Sequence, residues 1–253
     1  MVGGSWGVMV CAVVKSREYI ERMLRRLIQR AFDALPSQCL VCHAWPTAPV
    51  CDACVSRFAQ PQTRCRTCAL PVPEGVRQCG ACLKQPPPLE ACLAAVNYAF
   101  PWSDLIVGFK FHNQPGRASA LALLMRSTPW VEPALDTADL VLPMPLALER
   151  LQTRGFNQAL LLARLLASDK TEHKLLLRIK NTPPQSSLHR AERLTSLNDA
   201  FAVEPLRLTQ IKGARVVLVD DVMTTGASLF AAARVLKAAG AAHITGLVIA
   251  RTV

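Results

Sequence analysis

The sequence predicts an α/β protein in two parts, a small cysteine-rich segment held together by metal and a larger domain built on a parallel sheet. Three observations carry this. Eight of the ten cysteines fall into C-x2-C pairs between residues 39 and 82. From residue 90, short apolar runs alternate with stretches of helical periodicity, the pattern of strands joined by crossover helices. Near the C-terminus, VVLVDDVMTTGAS places two aspartates between an apolar run, Val216 to Val219, and a loop of small and hydroxyl-bearing residues.

Residues 1–35 read as an extension. From Met23 the apolar residues Leu24, Leu27, Ile28, Ala31 and Leu35 follow helical spacing, while Arg22, Arg25, Arg26 and Arg30 occupy the other positions. This basic amphipathic helix either lies on a membrane surface or packs against the cysteine segment. Met23 competes with Met1 as the start. The first residues hold an apolar patch without preceding basic residues, and no run of about eighteen apolar residues occurs. A cytoplasmic protein is expected, with a peripheral position at the inner membrane as the variant the basic helix allows.

Residues 36–88 form the cysteine-rich segment. Its pairs are Cys39 and Cys42, Cys51 and Cys54, Cys65 and Cys68, and Cys79 and Cys82. With no export signal, thiolate knuckles for metal are a better reading than disulfides. Two such knuckles supply the four tetrahedral ligands of a structural Zn2+, and metal supplies the folding energy that so short a segment lacks. Two zinc ions held by adjacent pairs are expected. His43 is read as a bystander, and Cys11 and Cys92 as plain thiols. Pro86, Pro87 and Pro88 end the segment in an extended linker.

The larger domain, residues 90–253, is read as follows. Val96–Phe100, Leu140–Leu142, Leu175–Ile179 and His243–Ala250 are strands. Trp102–Lys110, Arg117–Arg126 and Gln158–Ala167 are helices, with Asn157 capping the last. Asn181–Asp199 is a long polar stretch. Val216–Val219 suits a strand covered on both faces. The helix after it carries Leu229, Ala232, Ala233, Leu236 and Ala239 at regular spacing and ends at Gly240. In such sheets ligands sit at the carboxyl ends of the strands.

The strand–loop–helix unit around Asp220 and Asp221 defines the expected site. Free N–H groups and the dipole at the helix start favour a phosphate. Gly226 lets the backbone approach, and Thr224, Thr225 and Ser228 add hydroxyls. Carboxylates beside a phosphate repel it unless they contact something else, so sugar hydroxyls or a metal are the expected partners of the aspartates. A ribose 5-phosphate group meets both demands. The segment resembles the phosphoribosyl-pyrophosphate (PRPP) signature of type I phosphoribosyltransferases, which implies a loop of Met223, Thr224, Thr225, Gly226, Ala227 and Ser228 around the 5-phosphate. It also implies catalytic or ribose-binding roles for Asp220 and Asp221, with Mg2+ accompanying PRPP.

A second signature, LPMPLALERLQTRGFNQ, puts Pro143 and Pro145 at a strand exit and aims Arg150 and Arg154 at the same rim, where guanidinium forks suit phosphate oxygens. The string RGFNQ, the four upstream C-x2-C pairs and the PRPP signature together resemble the ComF competence-protein family over roughly residues 23 to 253. That family includes proteins needed for natural transformation and relatives linked to using external DNA as a nutrient. The resemblance extends to Lys110 in GFKFHNQPGR and to Gln185, Arg193, Asn198 and Phe201 in the long polar stretch. It implies pyrophosphate contacts for Lys110, Arg150, Arg154, Gln185 and Arg193. Ser228 stands where many relatives have Thr and keeps the hydroxyl.

A formal net charge of +11 suits a polyanionic partner or phosphate-rich small ligands. Two functions fit. One is a PRPP-binding protein of DNA uptake that holds single-stranded DNA and works beside the uptake machinery at the inner membrane, with Trp45, Phe58, Phe109 and Phe111 as stacking candidates. The other is a nucleobase-salvage phosphoribosyltransferase using PRPP and Mg2+. The 51% hydrophobic content and mean hydropathy of +0.23 exclude a disordered chain.

Overall fold

The computed structural model describes residues 37–179 and 200–253. The basic helix expected after Met23, Cys11, Gln185, Arg193 and Asn198 lie outside the described residues. The chain divides into two compact units, Met1–Cys51 and Asp52–Val253. The composition breaks elsewhere, at the prolines before residue 90. Among the described residues no helix is long and apolar enough to cross a membrane.

In the first unit an antiparallel bridge joins Ser37 to Thr47, and the Leu40 N–H donates to the Pro49 carbonyl at 2.9 Å. The second unit opens with α1 (Asp52–Phe58) and α2 (Gly80–Lys84). Between them a tight turn bridges Arg64 to Pro71, with the Cys65 N–H donating to the Leu70 carbonyl at 2.7 Å.

The rest is the expected alternation. It runs β1 (Ala91–Asn97), α3 (Trp102–Phe111), α4 (Ala118–Arg126), α5 (Val131–Asp136), β2 (Leu140–Pro143), α6 (Leu148–Arg154) and α7 (Gln158–Ala167). Then come β3 (Leu176–Arg178), β4 (Phe201–Val203), β5 (Arg215–Met223), α8 (Ala227–Ala238) and β6 (His243–Arg251). Strands β1, β6, β5 and β2 lie side by side in that order, all parallel. At the open side of β2, Val141 also bridges Thr171 in parallel.

Parallel strands buried on both faces read as continuous apolar runs, and β5 obeys: Val216, Val217, Leu218 and Val219 are all buried. Helix α4 packs on β1 and β6, α7 on β2 and β5, and α8 on β4, β5 and β6. The buried Ala231, Ala232 and Ala233 let α8 approach closely, while Leu229 and Leu236 fill the seam. Gly240 at φ +95° turns the chain after it.

Three expectations need correction. Leu175–Ile179 was expected in the parallel sheet, but β3 pairs antiparallel with β4 in a separate two-stranded sheet. β1 begins at Ala91 rather than Val96, because tertiary packing of an alanine-rich segment overrides its weak strand propensity. β5 does not stop at the aspartates but carries them within the strand, as far as Met223.

Candidate functional site

At the carboxyl ends of β2 and β5 lies an open cleft of about 1190 Å³. Its floor is the end of β5 and the turn into α8. Gly226, at φ +82°, makes the turn, a conformation that favours glycine, and a Cβ there would also displace the Met223 Cε and the Phe230 ring. Thr225 turns its hydroxyl inward, where Oγ1 accepts the Ala227 N–H at 3.3 Å at the start of α8. Thr224, Gly226, Ala227 and Ser228 line the cleft, with Met223 beneath them.

The opposite wall grows from β2. The Met144 N–H donates to the Val219 carbonyl at 2.8 Å, so the strand exit stays registered to β5. Asn157 then serves two groups: its Oδ1 accepts the Leu160 N–H at 3.2 Å as the α7 cap, and its Nδ2 donates to the Met144 carbonyl at 3.1 Å. Helix α6 brings Arg150 and Arg154 to the rim and ends at Gly155, φ +75°. The Arg154 guanidinium lies 4.9 Å from the ring centre of Phe111, a cation–π contact.

The acids are held unequally. Asp221 is buried, and the Lys110 Nζ from the end of α3 sits 2.8 Å from its Oδ1. Asp220 is half-buried and its Oδ1 accepts the Asp221 N–H at 2.9 Å. Loss of water around Asp220, and then the neighbouring Asp221 carboxylate, push its pKa up to about 7 against the pull of Lys110. Around them stand three guanidiniums, Arg150, Arg154 and Arg178. Burial lowers the pKa values of Arg154 and Arg178, and the like charge of Arg150 adds to this. A crowded cationic rim over an acidic pair suits an anion that also presents hydroxyls or a cation. For Mg2+ the pair would offer chiefly its Oδ2 atoms, because Asp221 Oδ1 bonds Lys110 and the Val222 N–H and Asp220 Oδ1 accepts the Asp221 N–H; two carboxylate oxygens fit an ion carried mainly by ligand phosphates.

The cysteine-rich region carries two groups of four, Cys39, Cys42, Cys51 and Cys54, and Cys65, Cys68, Cys79 and Cys82; within each group all sulfurs lie within 4.8 Å of one another. Tetrahedral zinc with sulfur at about 2.3 Å sets neighbouring sulfurs about 3.8 Å apart. Cys42 and Cys51 stand 3.6 Å apart and Cys68 and Cys79 3.7 Å, so both groups fit zinc. Amide donors support the thiolate form at Cys39 and Cys65, while burial pushes the Cys68 and Cys82 thiols up. Burial opposes charge on Cys65, yet N–H bonds led by that of Cys79, at 3.3 Å, bring its pKa to about 6. The second group belongs to the main core, where Cys65, Cys68 and Cys82 pack among Leu89, Cys92, Met223 and Ile244.

The cleft thus gathers Asp220, Asp221, Lys110, Arg150, Arg154 and most of the loop, all singled out from sequence. Two residues were missed. Arg178 lies at the end of β3 in the cleft wall, and the only sequence hint was a basic residue at a strand terminus. Arg251, the last residue of β6, donates from Nε to the Cys68 carbonyl at 2.9 Å and from Nη1 to the carbonyls of Met223 and Thr224. Of the stacking candidates, Phe109 is fully buried against Phe156 and is core. Phe58 is half-buried, edge-on to Phe100, whereas Trp45 and Phe111 are exposed.

Comparison with known proteins agrees with this geometry. Residues 156–252 match the phosphoribosyl transferase domain family, a span that takes in α7, β5, the loop and β6. The chain is 31% identical to the DNA utilization protein YhgH of Escherichia coli K12 over 233 residues, 86% of this chain and 98% of the relative. It is 32% identical over 188 residues to competence protein F of Haemophilus influenzae, covering 71% of this chain and 81% of that one. Competence protein ComFC of Bacillus subtilis is 38% identical over 118 residues, 46% of each chain. A phosphoribosyl transferase domain behind a cysteine-rich region, with relatives of these names along most of its length, places the chain in the ComF family.

Proposed function

We propose that the cleft binds PRPP, or another 5-phosphorylated ribose, and that the protein acts in DNA uptake or use, as the names of its relatives suggest. The observation that carries the ligand is the order of groups along one short segment: an acidic pair near the carboxyl end of β5, then a glycine-bearing loop at the start of α8, with three guanidiniums in the same cleft lining. The 5-phosphate sits on the N–H groups of Thr224 to Ser228 and the ribose hydroxyls meet Asp220 and Asp221. Lys110, Arg150, Arg154 and Arg178 take the diphosphate with its Mg2+, joined by Gln185 and Arg193. Charge-assisted bonds of this kind contribute about 1.5–3 kcal/mol each. Titration of PRPP with Mg2+ should therefore bind the zinc-loaded protein at least about tenfold more tightly than Asp220→Asn/Asp221→Asn. Equal affinities would remove the assignment.

Single-stranded DNA is the second partner we propose, on the strength of the +11 charge and the relatives' names. With about four phosphate contacts at roughly 0.7 each, log affinity should fall against log salt with a slope of about −3. Replacing Arg25, Arg26 and Arg30 together should flatten the slope for every sequence alike. Affinity that ignores salt would sink the DNA partner. The salvage transferase then leads, favoured by the size of the cleft, about 1190 Å³, and by Tyr98, Phe111 and Asn113 in its lining. Release of diphosphate from PRPP with one of a panel of nucleobases would establish it.

A further inference from the structure

Arg251 is a buried cation that the ribose-phosphate reading does not use. Its guanidinium faces two ways. On one side Nε bonds the carbonyl of Cys68, a ligand of the second tetracysteine group. On the other, the two N–H groups of Nη1 are shared among the carbonyls of Met223 and Thr224, the first residues of the phosphate loop, and the carbonyl and hydroxyl of Thr252. Thr252 reinforces the arrangement, its N–H donating to the Met223 carbonyl at 3.1 Å.

The consequence follows from peptide planarity. In a trans peptide the C=O of one residue and the N–H of the next point in opposite directions. Gathering the carbonyls of Met223 and Thr224 behind the loop therefore turns the N–H groups of Thr224 and Thr225 away from Arg251. In the ribose-phosphate reading both belong to the loop that holds the 5-phosphate. Arg251 is thus placed to preset the donors before any ligand arrives, which lowers the ordering cost of binding.

The other end of the clamp depends on metal. Cys65 and Cys68 sit on one tight turn, where Ala69 takes φ +55° and its carbonyl accepts from Arg64 Nη1 at 3.1 Å. Two guanidiniums hold consecutive carbonyls of this turn, those of Cys68 and Ala69. A zinc tetrathiolate carries net negative charge and fixes the turn; both effects favour the nearby guanidiniums, and buried cations are costly without such compensation.

Resting on the ribose-phosphate reading, we propose that Arg251 is a positioning residue that couples metal in the Cys65 group to the phosphate loop, so that zinc and PRPP each tighten the other. Linkage makes the coupling reciprocal. The probe is zinc release from the full chain into a zinc-selective chelator, followed with a metallochromic indicator, with and without saturating PRPP and Mg2+. Alkylation mapped by mass spectrometry identifies the group that opens. Ligand should slow opening of Cys65, Cys68, Cys79 and Cys82 by about fivefold or more and leave the Cys39 group unchanged. Arg251→Lys keeps a charge but has no fork to span both carbonyl sets. It should retain its zinc, bind PRPP about fivefold more weakly and lose the slowing. If this variant does not fold, the wild-type measurement decides alone. PRPP that binds by titration while both groups open at unchanged rates overturns the coupling and leaves the ribose-phosphate reading intact. No PRPP binding to zinc-loaded wild-type protein overturns that reading, and the coupling with it.

Discussion

The two tetracysteine groups are written almost alike, C-x2-C, then eight residues in one and ten in the other, then C-x2-C. Their surroundings differ. Cys42 is exposed and Cys51 half-exposed, and Cys39, Cys42 and Cys51 belong to a short compact unit. Cys65, Cys68 and Cys82 are buried and join the core of the sheet domain. One motif therefore occurs in two settings: among the described residues the first group is part-exposed, with three of its cysteines in the smaller unit, and the second is built into the core of the sheet domain.

The strongest way to break this contrast is Cys65→Ser. Structural zinc binds with about 10–16 kcal/mol, comparable to the whole stability of a domain at about 5–15 kcal/mol. Soluble protein should be largely lost, as judged by yield and by the cooperative melting transition. A Cys65→Ser protein that melts like wild type would show that the core does not need the second metal.

A smaller effect tests how far the ligand end of the sheet differs from both metal groups. Asp220 has a folded pKa raised to about 7 from 3.8. Below pH 4 both folded and unfolded forms are protonated and the carboxyl is neutral in stability. As pH rises toward 7 the unfolded chain ionises first, so stability falls, and the penalty is complete above pH 7. Asp220→Asn should raise the melting temperature at pH 8 by roughly 4 °C, about 1–2 kcal/mol after allowance for remaining hydration, and give no gain near pH 4. A gain independent of pH would assign the effect to something other than the charge.

Asn157→Ala comes next. It removes a helix cap worth about 1 kcal/mol and should lower the melting temperature by roughly 2–4 °C at any pH from 5 to 9. The least change is expected from Cys42→Ser. Metal analysis should fall from about two zinc ions per chain to about one, while the main melting transition moves by less than about 2 °C and PRPP affinity stays within about twofold. If Cys42→Ser and Cys65→Ser fail alike, the two groups are one structural unit and the contrast dissolves.

Much of this architecture could be read before any coordinates. Helix α7 was legible from periodicity and from Asn157, β5 from four consecutive buried aliphatics, and α8 from its alanine and leucine spacing with Gly240 beyond. The acidic pair and glycine loop declared themselves because their chemistry is local. What stayed hidden depends on distant contacts. Helix α6, LERLQTR, buries no residue and so shows no apolar stripe, and α5 contains Pro133. β3 finds its partner more than twenty residues on, in the three-residue β4. Arg251 could not be foreseen as a clamp, since its partners are main-chain carbonyls that leave no trace in side-chain pattern.

The double bond of Asn157 also sets how freely that position can vary. Serine, threonine or aspartate would each accept the Leu160 N–H, and a survey of helix caps would rank them as substitutes. Serine and threonine would have to accept the Leu160 N–H and donate to the Met144 carbonyl from one short hydroxyl, where asparagine uses two separate atoms; aspartate would set a carboxylate oxygen against that carbonyl instead. The primary amide carries acceptor and donor on one planar head, the pairing this junction of strand exit and helix start requires. Mutational tolerance here should follow the geometry of the amide rather than helix-cap preference, with Asn157→Asp faring no better than Asn157→Ala despite its stronger cap.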